Sequence, residues 1–481
     1  MKHIFDFLKM KKIYFFLTLV FLFNLSPNVF SKSVTNETKK EIFTDKRNLK
    51  CEKLLNVNEK DLDVFAKKGS ILIDARTNEI LYARNANLVA PMASTTKIMT
   101  AILAIENYRD FSKFEEVNEH TIQVMGSSMG LNKGFHVNMS GLLAGLMLNS
   151  GNDAANEIAY RVVKDMIETG KIKSTEVEIK EKDNAKVVKR YIARFVELMN
   201  EKARELGLED TVFSSPSGLG PEDVLYSEKF TNNRTTARDL AFLASYGMKN
   251  DVFREIVASP SKAILIKRIN EKTKELIEEK RTCYNHNRLL KKGKETFYDK
   301  ACGVKTGFTK EAGRCLVSAA KQDGLILIAV VLNDGPKDWL DCKKILEYGF
   351  KKYKTVTLPE YLDTLSKDDK LPKNSKKENS ENITKQKFEI IGSEGKDEFF
   401  SVVQKEPIAL AVKKDEKNKK DEKNKKDDKN KKDDKKLNIT QKIKMNPIHF
   451  FVKNGENVGK IKYFLDENFI GETDLLAKKL N

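Results

Sequence analysis

Ser94 and Lys97 stand three residues apart, just before an apolar run at 101–105 that predicts a buried helix. At this spacing two side chains lie on one face of a helix, about one turn apart. Burial lowers the pKa of a lysine, and a neutral lysine amine can take the proton of a serine hydroxyl. The pair therefore predicts a serine nucleophile with a lysine base. Ordinary helix capping is the alternative, because Ser-x-x-Lys also occurs by chance.

Two further motifs favour chemistry over capping. Ser150-Gly151-Asn152 follows the apolar run 142–148, and Lys305-Thr306-Gly307 opens a strand-like segment. Penicillin-binding proteins and class A β-lactamases carry Ser-x-x-Lys, Ser-Asp-Asn and Lys-Thr-Gly in this order. Here the order is kept, and Gly151 replaces the Asp of the second motif.

The residues around the three motifs carry a closer resemblance. They are Gly69–Ala75, Asp153–Ala155, Gly303–Thr309 and Ala312-Gly313. With these flanks, residues 66–353 resemble the low-molecular-weight penicillin-binding proteins that are serine-type D-alanyl-D-alanine carboxypeptidases, the peptidase S11 family. One position departs from the family pattern, because Ser217 stands where the family often has a histidine before Gly-Leu.

The resemblance implies a substrate and three catalytic residues. The substrate is a peptidoglycan stem peptide that ends in D-Ala-D-Ala, and β-lactams are inhibitors. Ser94 attacks the carbonyl between the two D-alanines and forms an acyl-enzyme, with Lys97 as the general base. Ser150 bridges Lys97 to the leaving nitrogen.

The resemblance also implies five substrate-binding residues: Asn152, Lys305, Thr306, Gly307 and Phe308. Asn152 binds the substrate amide and Lys97, and Lys305 and Thr306 receive the substrate carboxylate. Gly307 leaves room beside the strand, and the backbone N–H groups of Ser94 and Phe308 form the oxyanion hole. No cofactor and no metal are expected, since the five histidines show no ligand spacing.

Three alternatives remain for the function. A D,D-endopeptidase that cuts cross-links would use the same residues. A class A β-lactamase needs a glutamate between the second and third motifs, whereas the pattern Glu-x-x-Leu-Asn occurs only at 52–56, before Ser94. A non-catalytic wall-binding module is disfavoured by the intact set of Ser, Lys, Asn and Thr.

The N-terminal residues predict export. A basic start, an apolar run at 13–25 and small residues near Ser31 are typical of a secretory signal, here 1–31, and an uncut membrane anchor is the alternative. A polar leader follows at 32–60. The protein is therefore expected outside the cytoplasm, at the cell wall, on the outer face of the membrane or secreted.

Charge and cysteine content limit the partners. The chain of 481 residues has 88 basic and 70 acidic residues, a net charge of +18, which favours weak contact with anionic membrane or wall polymers. No nucleic-acid-binding motif is present, and export argues against nucleic acid as a partner.

The five cysteines are an odd number, so at least one is unpaired or pairs between chains. Cys315 lies in an apolar strand pattern that is typical of a buried small side chain.

The predicted fold is α/β (α+β), an antiparallel sheet flanked by helices with a helical subdomain. Apolar runs at 71–73 and 80–82 predict a hairpin, in which Asn78 suits a positive φ. Residues 111–243 are mainly helical in pattern, with a polar surface insertion at 171–189. Strands return at 304–309, 315–320 and 325–332, and a helix at 337–353 closes a catalytic domain that spans 61–353.

Composition changes after the catalytic domain. Residues 354–386 are rich in Lys, Asn and Ser and predict a linker. Short apolar runs at 388–391, 399–403 and 408–412 then predict a C-terminal β-sandwich domain, 387–481. A Lys/Asp-rich repeat at 413–436 interrupts this domain as a solvated loop, with wall or lipid contact as the alternative.

Overall fold

The structure is a computed structural model. It describes residues 62, 64–173, 185–219, 233–270 and 273–357, and the strands of the C-terminal part between 389 and 479. The predicted signal at 1–31, the leader at 32–60 and nearly all of the Lys/Asp-rich repeat lie outside the described residues. Within them, no helix is both long and apolar enough to span a bilayer.

Seven helices lie in the described part of the chain: α1 Lys97–Asn107, α2 Met139–Met147, α3 Asn152–Glu168, α4 Ala185–Glu205, α5 Ala237–Met248, α6 Asp251–Ala258 and α7 Asp338–Lys352. The strands before residue 358 are β1 Gly69–Asp74, β2 Ile80–Arg84, β3 Ala90–Pro91, β4 Glu115–Glu116, β5 Phe135–Val137, β6 Arg234–Thr235, β7 Ser261–Ile269, β8 Leu276–Tyr284, β9 Ala301–Thr309, β10 Gly313–Gln322, β11 Leu325–Asp334 and β12 Tyr353–Thr357.

The central sheet joins the two ends of the catalytic part. Its order is β2-β1-β11-β10-β9, and all neighbours are antiparallel. Asn78 turns the first hairpin with a φ of 60°, and Asp323 and Gly324 turn the β10–β11 hairpin with positive φ. The predicted antiparallel sheet, its hairpin and its late strands are confirmed. Strand β9, which carries Lys-Thr-Gly, lies at an edge of this sheet.

Each face of the sheet covers its own hydrophobic core. Successive side chains of a strand point to opposite faces, so that Cys315 and Val317 of β10 pack in the core shared with the helical subdomain. Leu316 packs in the second core, against Cys342 and Ile345 of α7. Cys315 and Cys342 are both buried, which confirms the packing predicted for Cys315.

The helical subdomain is built around α1 and α3. Asn138 caps α2 by accepting a hydrogen bond from Gly141 N. The buried ion pair of Arg161 with Glu157 on α3 holds the short strands, because Arg161 also donates to Val137 O. The prediction of a polar surface insertion at 171–189 is wrong for residues 185–189, because these residues form the start of α4. Residues 174–184 lie outside the described part of the chain.

The sequence prediction missed the β7–β8 hairpin and, within the region predicted as mainly helical, the short strands β4 and β5. Strands β7 and β8 pair in register from Ser261–Tyr284 to Ile269–Leu276. In β7 only Ile264 and Ile266 are buried, at the spacing of two that marks a strand. Seven of the eighteen residues of β7 and β8 are lysine, arginine or glutamate, and these charged residues obscure the alternation.

The C-terminal part is β-rich, as predicted. Strands β13 Glu389–Ile391, β14 Phe399–Gln404, β16 Ile439–Met445, β17 Asn457–Leu465 and β18 Asn468–Lys479 form one sheet in the order β13-β14-β18-β17-β16. Strand β15, Ala409–Lys413, pairs instead with β12. The prediction of a linker is therefore wrong at residues 354–357, because they form most of β12. Residues 358–386 lie outside the described part of the chain.

Candidate active site

Ser94 lies in a single 3-10 turn, Ala93–Thr96, that leads directly into α1. Ala93, the first residue of this turn, has a φ of 47°, an unusual value for alanine. Thr95 Oγ1 donates back to Met92 O at 2.6 Å and fixes the entry. Ser94 is half-buried and lies at the N-terminal end of α1. The sequence predicted this position, but the turn that holds Ser94 is 3-10 rather than α.

Lys97 is fully buried beneath Ser94, and its Nζ contacts three oxygens. Nζ lies 2.9 Å from Ser94 Oγ, 2.8 Å from Asn152 Oδ1 and 2.7 Å from the backbone oxygen of Ser217. Asn152 Nδ2 donates to Met125 O at 2.7 Å, so its Oδ1 faces Lys97. The structure therefore brings Ser94, Lys97 and Asn152 together.

The two motif lysines are both buried away from water. Burial lowers the pKa of Lys97 well below the ordinary lysine value, and the nearby charge of Lys305 lowers it further. Burial alone lowers the pKa of Lys305 to about 7. The lowered pKa favours the uncharged form of the Lys97 amine, which is the form a general base needs.

Ser150 occupies a tight turn between α2 and α3. Its φ is 60°, in the left-handed region that is strained for a serine. Asp153, in the first turn of α3, accepts from Met129 N and Leu131 N and ties the 128–131 loop to this turn. Ser150 is thereby held with little exposed surface.

Lys305 of β9 binds Ser150. Its Nζ donates to Ser150 Oγ at 2.9 Å and to Thr306 O at 2.9 Å. The resemblance implied that Ser150 bridges Lys97, whereas the hydrogen bond that the structure gives this hydroxyl comes from Lys305. The second and third motifs are thus joined through Ser150.

Gly307 lets β9 approach the nucleophile turn. A Cβ at this position would lie 3.0 Å from Met92 O and 3.2 Å from Ser94 N, closer than ordinary van der Waals contact. The neighbouring Thr306 is half-buried and Phe308 is largely exposed. Because Gly307 has no Cβ, the backbone of β9 can lie against the turn that carries Ser94, and the resemblance puts the oxyanion hole at this junction.

Sequence reasoning missed the loop that completes the Lys97 environment. The backbone oxygen of Ser217 binds Lys97, and Thr100 Oγ1 donates to Pro216 O at 2.6 Å. Asn233 fixes this loop, since it accepts from Ser215 N and donates to Thr96 Oγ1. The sequence signal was only a turn-rich composition, because a backbone carbonyl carries no residue signature.

The unpredicted β7–β8 hairpin also supports the site. At its end Tyr284 N donates to Asn149 Oδ1 at 3.1 Å, and His286 N donates to Leu148 O at 3.2 Å. Asn287 Nδ2 donates to Gly303 O of β9 at 3.0 Å. Residues 284–287 therefore bind both the Ser150 turn and the strand that carries Lys305.

Among the described residues, no three His, Cys, Asp or Glu side chains are arranged to hold a metal ion. The polar groups at the site are two lysines, two serines, an asparagine and a threonine. This set is suited to acyl transfer through a serine nucleophile.

Comparison with known proteins decides the family. A family model described as peptidase S11, D-alanyl-D-alanine carboxypeptidase, matches residues 56–182 and 185–335. The chain belongs to this family. A second model, described as the C-terminal domain of penicillin-binding protein 5, matches residues 389–480.

Curated peptidase S11 relatives agree with this assignment. The chain is 27% identical over 420 residues to the D-alanyl-D-alanine carboxypeptidase DacF of Bacillus subtilis, covering 86% of this chain and 85% of that one. It is 32% identical over 293 residues to a D-alanyl-D-alanine carboxypeptidase of Streptomyces sp. strain K15, covering 60% and 88%. A D-alanyl-D-alanine endopeptidase of Pseudomonas aeruginosa is 27% identical over 259 residues, covering 53% and 66%.

Membership of the peptidase S11 family confirms the predicted resemblance, the α/β fold with a C-terminal β domain, and the enzyme class of serine hydrolase.

Proposed function

We propose that the protein removes the terminal D-alanine from peptidoglycan stem peptides ending in D-Ala-D-Ala, through an acyl-enzyme on Ser94. The observation that carries this proposal is the contact of Ser94 Oγ with the buried amine of Lys97 at 2.9 Å. Family membership supplies the substrate class.

The partners of Lys97 match the needs of a general base. A neutral amine has two N–H groups and one lone pair. Asn152 Oδ1 and Ser217 O can only accept, so they take the two N–H groups. The lone pair is left to face the Ser94 hydroxyl, and Lys97 takes its proton as Ser94 attacks the carbonyl.

Ser150 is the proposed proton donor to the leaving nitrogen. Its oxygen accepts from Lys305, so its own hydrogen is free to pass to the leaving nitrogen. The proton that Lys97 took from Ser94 then replaces it on Ser150 Oγ, which returns Lys97 to its neutral form. The terminal D-alanine then leaves as an amine. Hydrolysis of the acyl-enzyme uses the same groups in reverse, with Lys97 and Ser150 moving protons to and from water.

The remaining proposed residues bind the substrate. The backbone N–H groups of Ser94 and Phe308 would stabilise the oxyanion, a contribution of roughly 10²–10³-fold in rate for each such donor. Asn152 and Thr306 would bind the substrate amide and carboxylate. β-Lactams, which imitate D-Ala-D-Ala, would acylate the same serine, and the protein would act outside the cytoplasm, where its polymeric substrate lies.

Cleavage of cross-linked stem peptides is a second candidate, favoured by the relative from Pseudomonas aeruginosa that is named an endopeptidase. The same six motif residues serve both reactions. Incubation with a soluble pentapeptide and with a cross-linked dimer separates them, because a carboxypeptidase releases free D-alanine and an endopeptidase releases monomer.

Labelling with a fluorescent penicillin tests the proposal. We expect the wild-type protein to gain one covalent adduct by intact mass, and Ser94→Ala to gain none. Lys97→Ala should acylate far more slowly, by about 10²–10⁴-fold, because it lacks the general base. An adduct that persists in Ser94→Ala would show that the nucleophile lies elsewhere.

A further inference from the structure

A basic loop, residues 288–300, follows directly after the segment 284–287 that binds the Ser150 turn. The loop carries five cationic and two acidic side chains, a net charge of +3. Its cations are Arg288, Lys291, Lys292, Lys294 and Lys300. The proposed reaction uses none of these side chains, so their concentration beside the site calls for a role outside the chemical steps.

The backbone of the basic loop is fixed to its surroundings. Tyr298 N donates to Leu289 O at 2.9 Å and closes the loop on itself. The buried side chain of Asn287 caps the first turn by accepting from Leu289 N at 3.0 Å. Helix α7 adds a further contact, because Lys343 Nζ donates to Phe297 O at 3.3 Å. The cationic side chains therefore extend from fixed backbone positions.

Three lysines of the loop are available to an external anion. Lys291, Lys292 and Lys294 are all exposed. Ion pairs occur before the loop at Arg281 and after it at Arg314, but within the described part of the chain none involves these three lysines. An exposed cation without an internal partner can bind the opposite charge of a second molecule.

The basic loop lacks the apolar surface by which a protein enters a lipid bilayer. Its side chains of Leu289, Leu290 and Tyr298 are turned inward and buried, at 0%, 7% and 6% exposure. Segments that lie in a membrane interface present Trp, Phe or Leu together with their cations. A hydrated polyanion therefore fits the loop better than a lipid surface.

The loop also borders the active site closely. Asn287 Nδ2 donates at 3.0 Å to the backbone oxygen of Gly303, which is two residues before Lys305 on β9. Burial lowers the pKa of His286, and the charges of Lys305 and Lys291 lower it further, so the site and the loop act on one side chain. A polymer with one unit in the site therefore has neighbouring units within reach of the loop.

We propose that Lys291, Lys292 and Lys294 form a binding surface for the peptidoglycan polymer outside the catalytic site, where they hold carboxylates of the stem peptides next to the one that is cleaved. This inference rests on the proposed function. Each uncut neighbouring stem ends in a carboxylate of its own, so a peptidoglycan strand is a polyanion that matches a basic surface. A second, weak contact of this kind raises the effective concentration of the reacting stem at Ser94.

A pair of double variants of the full chain tests this surface. Lys292→Gln/Lys294→Gln removes two charges from the loop, and Lys186→Gln/Lys189→Gln removes two exposed charges from α4 as the control. The substrates are a soluble pentapeptide and uncross-linked peptidoglycan strands that have been freed of phosphate-containing polymers.

We expect the loop variant to raise KM for the strands by about 3- to 10-fold, the value of two exposed charge contacts, with kcat unchanged. Both constants for the soluble pentapeptide should stay at their wild-type values. The control variant should leave both substrates unchanged. Lys292→Arg/Lys294→Arg keeps the charges and should keep the wild-type KM for the strands. Added salt should raise KM for the strands more in the wild type than in the loop variant, because exposed charges are screened.

An unchanged KM for the strands in Lys292→Gln/Lys294→Gln would overturn the inference. So would an equal rise in Lys186→Gln/Lys189→Gln, which would show an effect of net charge alone. An equal rise for the soluble pentapeptide would place the loop lysines in the catalytic site and would overturn it as well. A wild-type protein that releases D-alanine from neither substrate would instead overturn the proposed function.

Discussion

At the scale of single residues, reactivity depends on two lysines that the fold removes from water. A charged amine loses its hydration on burial, so the neutral form is favoured. Lys97 and Lys305 are both almost completely inaccessible, and the charge of Lys305 is the second cause of the low pKa of Lys97. The pKa of Lys97, the proposed base, is therefore lowered in part by Lys305, which also donates a hydrogen bond to Ser150.

Replacement of Lys305 should shift the pH dependence of acylation. Lys97 acts in its neutral form, so the rate falls as pH drops through the Lys97 pKa. In Lys305→Gln the repelling charge is absent, the Lys97 pKa rises, and the acid limb of the rate profile moves to higher pH. Stopped-flow acylation by a β-lactam across pH measures the limb. Lys321→Gln should not move it, and a limb that stays in place or moves to lower pH in Lys305→Gln would contradict the coupling.

At the scale of elements, the site depends on how closely an edge strand fits against the nucleophile turn. Strand β9 carries Lys305 and Phe308, and the turn carries Ser94. Gly307 is the point of contact, where even a Cβ would lie 3.2 Å from both Ser94 N and Thr95 N. The fit sets the separation of the two backbone N–H groups proposed for the oxyanion.

Gly307→Val should push β9 away from the turn and weaken that pair of donors. We expect the acylation rate to fall by about 10²-fold or more, the value of one oxyanion donor. Ala301→Val adds similar bulk at the other end of β9 and should keep the rate. Thermal unfolding of both variants checks that each is folded. A Gly307→Val protein that acylates at the wild-type rate would mean that this close approach is not needed.

At the scale of the whole molecule, every proposed catalytic residue precedes Tyr353. The C-terminal part contributes the sheet of β13, β14, β16, β17 and β18, and β12 pairs with β15. The family match for residues 389–480 describes a separate C-terminal domain. We therefore propose that this part positions the catalytic domain at its polymeric substrate.

A chain that ends after Tyr353 should retain its activity on a soluble pentapeptide and lose activity on intact wall material. Release of D-alanine from each substrate is the measurement. A chain that lacks only 414–436 separates the contribution of the charged repeat, which added salt should weaken because exposed charges are screened. Equal activity of the full and truncated chains on both substrates would leave the C-terminal part without this role. Loss on the soluble peptide would show that the boundary at 353 is wrong.

The sequence alone determined the features that depend on neighbouring residues. The Ser94–Lys97 spacing, the turn at Asn78 and the strands at 315–320 and 325–332 were predicted, because each follows from a few adjacent residues. The three motifs also gave the family, since their order is itself a property of the chain. The β7–β8 hairpin was missed because charged residues at seven of its eighteen strand positions obscure the alternation of apolar side chains.

Only the tertiary structure decided which group binds which. The Ser217 carbonyl meets Lys97 across 120 positions of the chain, and Lys305 meets Ser150 across 155. The low pKa values of both lysines also come from burial, which is a property of the assembled core rather than of any short segment. Local patterns therefore identified the proposed reacting residues, while long-range contacts set their hydrogen-bond partners and their burial.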